Sequence, residues 1–326
     1  MNAPRISVLI PTYNYARYLP EAIESVLCQE FKDFELLIVD DCSSDNTTEV
    51  VQAYCQRDSR LHFSVNSPNL GMVNNWNFCL REARGEYIKM LFGDDRLCHP
   101  QALGKWLALL EKYPSATLAA SARAVLDDNS KPVDIYRSFP DGCHAGQEII
   151  REYLRQNGKN LVGEPSAVMF RKSDALRGFD PQYRQIVDVE MWFHLLEKGD
   201  LAYTGEPLCG FRCHDLQEGE RNAASGLGPR EHADFFSKYA VEHDHPPDVL
   251  HALLFPLRRK ISKQPDPAYI EAEQRLLGRL GNGWRWSYWM HCLRYRLAKP
   301  FRNLAHSMEK RQFRRTFKLP LTKPQR

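Results

Sequence analysis

The first hundred residues alternate between short apolar runs and stretches whose apolar residues recur at helical spacing. The apolar runs predict four β-strands, at residues 6–10, 34–39, 61–65 and 87–92. The stretches between them predict three helices, at residues 18–29, from the N-cap Asp45 onward, and at 72–83. Strands that alternate with helices are typical of a parallel sheet covered by helices on both faces, so the sequence predicts an α/β fold.

Beyond the first hundred residues the pattern is less regular. Helices are predicted at residues 100–112, 146–156 and 188–198, and strands at 116–125, 165–171 and 208–212. Strand signals stop near residue 225, and residues 230–310 are typical of helices broken at Pro246, Pro247, Pro256, Pro265, Pro267 and Pro300. We therefore predict two domains, an α/β domain at residues 1–225 and a helical, basic C-terminal extension at residues 226–326.

Composition places the chain among globular proteins of a reducing compartment. Hydrophobic residues make up 43% and charged residues 26% of the 326 residues, which is enough apolar side chain for a sizeable core. No apolar run is long enough for a membrane-spanning helix, and the N-terminus lacks the apolar core of a signal peptide. Nine cysteines without CxxC pairs argue against a disulfide framework or a structural zinc site, so we expect a cytoplasmic protein.

The formal net charge of +3 hides a strong asymmetry along the chain. Residues 279–326 carry thirteen Lys and Arg but one acid, Glu309, which gives this tail a charge of about +12. The remaining residues carry 31 basic and 40 acidic side chains, a net charge of −9. A basic tail on an acidic body predicts an anionic partner, and charge alone leaves nucleic acid and a membrane surface both open.

Aromatic residues in the same tail favour the membrane. Residues 284–289 contain three Trp and one Tyr beside a basic residue, and such rings prefer the membrane–water interface. Further on, apolar residues at helical spacing are interleaved with basic ones; they are Leu293, Leu297, Phe301 and Leu304. We expect the tail to bind an anionic membrane surface, and we expect no nucleic acid. The alternative is that the aromatic residues pack onto the protein and the charges are only solvated.

Two pairs of aspartates follow predicted strands directly, Asp40-Asp41 after the second and Asp94-Asp95 after the fourth. In open parallel α/β sheets ligands bind beyond the carboxyl ends of the strands. Adjacent carboxylates repel one another, so clustering them is costly unless a cation or a ligand offsets the charge. The pairs therefore predict a ligand or metal site, although a solvated turn is the simpler interpretation of either pair alone.

Common nucleotide-binding signatures are missing from the sequence. No G-x-G-x-x-G follows the first strand, and no G-x-x-x-x-G-K-[ST] occurs. The first strand ends instead in Pro11-Thr12-Tyr13-Asn14, which offers hydroxyl, amide and ring groups but no glycine nest for phosphates. Bound phosphates would therefore need a metal ion more than a backbone cradle.

A series of short motifs then resembles one family. SVLIPTYN at residues 7–14 and VDDCSSDNT at 39–47 resemble the opening of family 2 glycosyltransferases. The same pattern continues in order with Asn69-Leu70-Gly71, Gly85-Glu86-Tyr87-Ile88, Asp94-Asp95, Gly178-Phe179-Asp180, Asp188-Val189-Glu190-Met191-Trp192 and Phe211-Arg212-Cys213-His214. The resemblance covers residues 5 to about 217. It implies the GT-A fold and transfer of a sugar from a nucleotide donor with inversion at the anomeric carbon.

The resemblance also implies roles for individual residues. Donor-binding residues would be Pro11, Thr12, Tyr13, Asn14, Asp41, Asn69, Asp94 and Arg212, with Asp41 on the base and Asp94 on the ribose or sugar. Asp95 and His214 would hold Mg²⁺ or Mn²⁺, which neutralises a diphosphate leaving group. Asp188 would be the catalytic base and Glu190 a second acid nearby, although Asp188 could equally be a helix N-cap.

Two positions depart from the family pattern. Phe92 occupies the place of the first acid of the family's DxD motif, which leaves Gly-Asp-Asp. Trp76-Asn77 replaces an Arg-Asn pair that approaches the diphosphate in many members. Metal binding then depends more on Asp95 and His214, and the resemblance does not extend to the diphosphate contacts of this helix or to the base of the donor.

These observations together predict a metal-dependent, inverting glycosyltransferase that builds a surface polysaccharide or glycolipid at the inner face of a membrane. The expected donor is a UDP-sugar, and the expected acceptor is a saccharide or a lipid-linked molecule. A sugar nucleotidyltransferase is the enzymatic alternative, but it needs a Gly-rich basic loop after the first strand. A non-catalytic GT-A-like scaffold is the second alternative; losing Asp95 or Asp188 would have favoured it, and both are present.

Overall fold

The computed structural model describes residues 3–214, 217, 226–281 and 284–293. Within them the chain forms two compact units. The first contains the described residues up to 146 and those from 162 to 214; the second contains residues 147–161, residue 217 and the described residues from 226 onward. The predicted domain boundary near residue 225 lies outside the described residues and stays a prediction.

The first unit is built on one mixed sheet. In its described part the strand order is β3-β2-β1-β4-β9-β6-β10-β5, with β7 on β6 and β8 on β10. Strands β1, β2, β3 and β4 are parallel to one another, β9 is antiparallel to both β4 and β6, and β10 is parallel to β6. The strands are β1 Ile6–Thr12, β2 Phe34–Asp40, β3 Leu61–Val65, β4 Tyr87–Met90, β5 Arg96–Leu97, β6 Ala116–Leu126, β7 Pro132–Tyr136, β8 Gly142–His144, β9 Val168–Arg171 and β10 Asp200–Arg212.

Helices cover the sheet, as the alternation of predicted strands and helices indicates. They are α1 Leu19–Leu27, α2 Thr47–Cys55, α3 Met72–Glu82, α4 Ala102–Lys112 and α6 Val187–Leu196, with 3₁₀ turns at Pro165–Ala167 and Lys172–Ala175. The helix between α4 and α6, α5 Gly146–Arg155, belongs to the second unit apart from its first residue. Ile6, Val8 and Ile10 of β1 join one apolar cluster with residues of α1 and α4, and the intervening Leu9 is buried too. A strand buried on both faces needs a continuous apolar run, and the predicted α/β fold is confirmed.

The sequence analysis missed the short strands and placed one helix start a residue too early. Strands β5, β7 and β8 were not predicted, and β10 begins at Asp200 rather than near residue 208. The N-cap position of α2 is Asn46, one residue after the predicted Asp45. The Asp45 carboxylate nevertheless accepts the Thr47 N–H at 3.1 Å, so it still satisfies a donor of the first helical turn.

The second unit is helical in its described part. Its longer helices are Leu227–Glu242, Pro247–Lys263 and Pro267–Leu280, and residues 284–293 are also helical. The predicted break at Pro256 is wrong, because the helix continues through it. A proline inside a helix costs about 3 kcal/mol. Buried Leu253, Leu254 and Leu257 beside it supply packing that offsets this cost. No described helix is both long and apolar enough to cross a bilayer.

Candidate active site

The parallel strands β1, β2, β4 and β10 end at one edge of the sheet, and this edge gathers most of the predicted site residues. The Asp41 N–H donates to the Thr12 carbonyl at 2.9 Å, which joins the ends of β1 and β2. The Arg212 N–H donates to Asp95 Oδ1 at 2.9 Å, which joins the end of β10 to the turn after β4. Residues that are far apart in sequence therefore meet where α/β sheets place their ligands.

The turn after β1 presents one exposed ring. Pro11 and Thr12 are buried, whereas the Tyr13 side chain is 46% exposed and accessible to a ligand. Asn14 is in the left-handed region (φ 57°), and its Oδ1 accepts the Ser44 N–H at 2.9 Å. The Asn14 side chain therefore joins the turn after β1 to the loop after β2.

The Asp41 carboxylate organises the loop that leads into α3. Its Oδ1 accepts the Leu70 N–H at 2.8 Å and Asn66 Nδ2 at 2.9 Å, and its Oδ2 accepts the Gly71 N–H at 2.8 Å. Asn69 Nδ2 donates to the Asp41 carbonyl at 2.6 Å. Asp41 and Asn69, both predicted to bind the donor, are therefore neighbours, and both hold this loop through hydrogen bonds.

Asp94 faces His214. Asp94 Oδ2 lies 3.0 Å from His214 Nε2, and both side chains are almost completely buried. Two rings flank the imidazole, with centroid distances of 4.9 Å for Tyr18 and 5.9 Å for Tyr15. The Tyr18 hydroxyl donates to Asp128, which fixes the ring under the histidine. Tyr15 and Tyr18 lack a motif of their own, and sequence reasoning missed them.

Asp95 has a different environment from its neighbour. Its side chain is buried, and burial together with the adjacent Asp94 raises the pKa of Asp95 well above its usual range. The predicted metal pair of Asp95 and His214 is thus not the pair that lies in contact, because Asp94 occupies the position beside the imidazole. Asp95 instead connects the turn to β10 through the Arg212 main chain.

Arg212, predicted to bind the donor, is a buried structural cation. Its Nε donates to the Asp94 carbonyl at 2.6 Å, and its Nη2 donates to Glu21 Oε2 at 2.5 Å. Its guanidinium carbon lies 5.0 Å from the centre of the Tyr18 ring. Arg212 therefore positions the Asp94 backbone and the Tyr18 ring. Glu21, its partner, lies on α1 and was not among the predicted site residues.

The two acids of α6 also differ. Asp188 is half-buried in the first turn of the helix, where the N-cap position is Ile186, so Asp188 is not the cap. Glu190 accepts from Arg177 Nη2 with both oxygens, at 2.8 and 2.9 Å. Burial raises the pKa of Glu190 even though Arg177 opposes that shift. Glu190 is thus committed to an ion pair.

The two departures from the family pattern have a structural explanation. The Trp76 ring packs against Phe92 and Phe179, with centroid distances of 5.0 and 5.3 Å. Asn77 Oδ1 accepts the Phe179 N–H at 2.7 Å, and Asn77 Nδ2 donates to the Phe179 carbonyl at 2.8 Å. Asn77 therefore holds the segment that leads towards α6, and its amide is used within the protein.

Comparison with known proteins identifies the family of the chain. The chain belongs to glycosyl transferase family 2, since residues 7–177, just over half of its 326 residues, match that family. It is 35% identical to the protein MT1568 of Mycobacterium tuberculosis over 63% of this chain and 66% of that protein. It is 30% identical to EpsE of Bacillus subtilis, which is named as a glycosyltransferase, over 62% of this chain and 70% of that protein.

Solved structures of low sequence identity share the fold. TarS 1–349 of S. aureus, in complex with UDP-GlcNAc, matches 84% of this chain and 80% of its own with a TM-score of 0.61 at 18% identity. The mannosyltransferase PcManGT of Pyrobaculum calidifontis, in complex with GDP-Man and Mn²⁺, matches 93% of this chain and 88% of its own with a TM-score of 0.53 at 17% identity. The predicted family, GT-A fold and transferase class are confirmed.

Proposed function

We propose that the protein transfers a sugar from a nucleotide-diphosphate sugar, with a UDP-sugar as donor, to a hydroxyl group of a saccharide or lipid-linked acceptor. The observation that carries this proposal is the buried Asp94–His214 pair, 3.0 Å apart at the carboxyl edge of the sheet. The exposed Tyr13 ring, on the turn after β1 at the same edge, is suited to stack on the nucleoside. The UDP-GlcNAc complex of TarS, which shares the fold, supports the choice of donor.

The Asp94–His214 pair fits a divalent cation such as Mg²⁺ or Mn²⁺. A carboxylate oxygen and an imidazole nitrogen are suitable ligands, and the described residues contain no group of three or more His, Cys, Asp or Glu that could hold the ion alone. With two protein ligands the ion would keep further coordination positions for diphosphate oxygens, and PcManGT, which shares the fold, is in complex with GDP-Man and Mn²⁺. When bound, the cation neutralises charge that develops on the diphosphate leaving group.

Asp188 is the proposed general base for an inverting reaction. An acceptor hydroxyl is a poor nucleophile until a carboxylate takes its proton, and attack opposite the leaving group inverts the anomeric centre. Asp188 lies in the first turn of α6, where the helix dipole stabilises a carboxylate. Glu190 is held by Arg177 and would support the helix start.

A screen of nucleotide sugars tests the proposal. Release of nucleoside diphosphate would be measured with and without Mn²⁺ for UDP- and GDP-sugars, followed by the anomeric configuration of the product. Metal-dependent release of UDP and an inverted product are expected. Formation of a nucleotide sugar from a sugar phosphate and UTP would identify a nucleotidyltransferase instead. Nucleotide binding without turnover on any acceptor would favour a scaffold.

Residues 279–326 are the proposed membrane-binding segment. Their charge of about +12 is suited to an anionic leaflet, and each basic residue near such a surface contributes about 1 kcal/mol. Peripheral attachment at the inner face would bring the enzyme to a lipid-linked acceptor. Most of this segment, including Leu297, Phe301 and Leu304, lies outside the described residues.

A further inference from the structure

The described start of the basic tail has two different faces. Residues 284–293 form a helix on which Trp286 is 71%, Trp289 53% and Leu293 38% exposed. The two indole rings stack with centroids 5.3 Å apart and planes 23° apart. Spacings of three and four residues place all three side chains on one side of the helix. We call these three residues the Trp286–Trp289 face.

The other aromatic residues of the helix pack inside the second unit. The guanidinium carbon of Arg258 lies 5.0 Å from the Trp284 ring centre and 5.7 Å from the Tyr288 ring centre. Arg258 is itself paired with Glu273 at 2.8 Å. Burial raises the pKa of Tyr288 to about 12, as expected for a phenol removed from water. The aromatic cluster therefore divides into an anchored pair and an exposed pair.

We infer that the Trp286–Trp289 face inserts into the headgroup region of an anionic bilayer. Large indole rings exposed to water are unfavourable, and a contiguous apolar patch of this kind marks an interaction site. Trp prefers the interface, where its apolar body and N–H are both satisfied. The exposed Arg285 adjoins this face, and the basic residues that follow in sequence complement an anionic surface better than a neutral protein partner.

This inference rests on the proposed membrane attachment of residues 279–326 and adds an apolar component to it. Electrostatic attraction by the basic tail is screened by salt, whereas insertion of Trp286 and Trp289 is much less salt-sensitive. The two components can therefore be measured separately. The tail determines the salt-sensitive part of binding, and the Trp286–Trp289 face determines the part that remains.

The experiment uses the full chain and vesicles of phosphatidylglycerol and phosphatidylcholine. Sedimentation measures binding at low and high salt, and quenching by lipids brominated in the acyl chains measures tryptophan insertion. Trp76, Trp106 and Trp192 are buried, so quenching reports on the helix at 284–293. We expect the double variant Trp286→Ser/Trp289→Ser to bind about tenfold more weakly or worse, to lose quenching and to keep its salt dependence.

Leu176→Ser is the matched control, because Leu176 is 74% exposed in the first unit and should leave binding unchanged. Circular dichroism confirms folding of each variant. Unchanged binding of the double variant, or the absence of quenching in the wild-type chain, would overturn insertion, while salt-sensitive binding would leave the tail attachment intact. Failure of the wild-type chain to bind at low salt would overturn both, without affecting transfer to a soluble acceptor. A change in molar mass with the double variant would assign the face to a second copy and overturn the inference.

Discussion

Two regions of the first unit each carry two acids that are close in sequence, and the two acids of each region have different environments. In the turn after β4, Asp95 is buried and accepts the Arg212 N–H at 2.9 Å, while Asp94 lies against His214 at 3.0 Å. In the first turn of α6, Glu190 is paired with Arg177 at 2.8 Å, while Asp188 is half-buried nearby in sequence. In each region an arginine contacts one of the two acids. The Arg212 main chain donates to Asp95, and the Arg177 side chain pairs with Glu190.

The pairing of one acid in each region with an arginine has a physical reason. Two carboxylates close together raise each other's pKa unless one of them is neutralised or hydrogen-bonded. The bonds of Asp95 to the Arg212 main chain and of Glu190 to Arg177 fix the backbone that carries Asp94 and Asp188. The comparison therefore predicts that one acid of each pair performs chemistry and the other positions it.

The largest effect is expected in α6. Asp188→Asn keeps the shape of the side chain but removes the base, so transfer should fall about 10³-fold. Nucleotide affinity should stay within a few-fold, because the base acts on the acceptor. Glu190→Gln is the matched variant and should retain most activity. Steady-state kinetics and nucleotide titration measure both; an inactive Glu190→Gln beside an active Asp188→Asn would reverse the assignment.

The next largest effect is expected in the turn after β4, where substitutions of Asp94 and Asp95 should have different effects on activity. Asp94→Asn removes a charge beside His214, so metal-dependent turnover should fall about 100-fold, the scale of losing one key electrostatic contact. Asp95→Asn keeps an oxygen for the Arg212 N–H and should remain within about tenfold of wild type. EDTA should abolish activity of the wild type, and Mn²⁺ titration should restore it. A normal Mn²⁺ response in Asp94→Asn would remove Asp94 from the metal site.

The sequence predicted the central strands well because both faces of the sheet are covered. Full burial requires a continuous apolar run, which is visible without a structure. The three missed strands are short, and β7 is partly exposed, so their apolar signal is weak. Lys89 in β4 is fully buried and donates to the Ser166 carbonyl at 2.5 Å. Such a contact depends on a partner 77 residues away and has no local pattern.

The sequence motifs indicate which residues meet at the carboxyl edge of the sheet, but they do not indicate which contacts those residues make. Ordered motifs place Asp94, Asp95 and His214 at one edge, yet they do not determine which aspartate faces the imidazole. That depends on Arg212, whose main chain holds Asp95 across 117 residues and whose side chain pairs with Glu21 across 191. Long-range hydrogen bonds of this kind decide side-chain direction, and sequence spacing does not record them.

A moderate effect is expected at Asn77, which supports the approach to α6. Asn77→Ala leaves the Phe179 N–H and carbonyl without their partner, which should cost about 1–3 kcal/mol in the free energy of unfolding. Transfer should also fall several-fold, because Arg177 lies two residues before Phe179. Asn74→Ala changes an exposed amide on the same helix and is the control. Urea unfolding and kinetics measure both; equal stability of the two variants would contradict this role.

The smallest effect concerns the pH dependence of stability through Glu190. Burial raises the pKa of Glu190 in the folded protein above the ordinary value of 4.5, so the native state binds its proton more tightly than the unfolded chain does. This contribution to stability is complete below pH 4.5 and is lost as the pH rises through the folded pKa. Glu190→Gln cannot titrate, so the difference in the free energy of unfolding between variant and wild type should shift in favour of the variant as the pH rises. Urea unfolding at intervals from pH 4 to 7 measures it, with the exposed Glu49→Gln as control. A pH-independent difference between wild type and Glu190→Gln would mean that the charge of Arg177 fully offsets the effect of burial on the pKa of Glu190. The prediction would then be wrong.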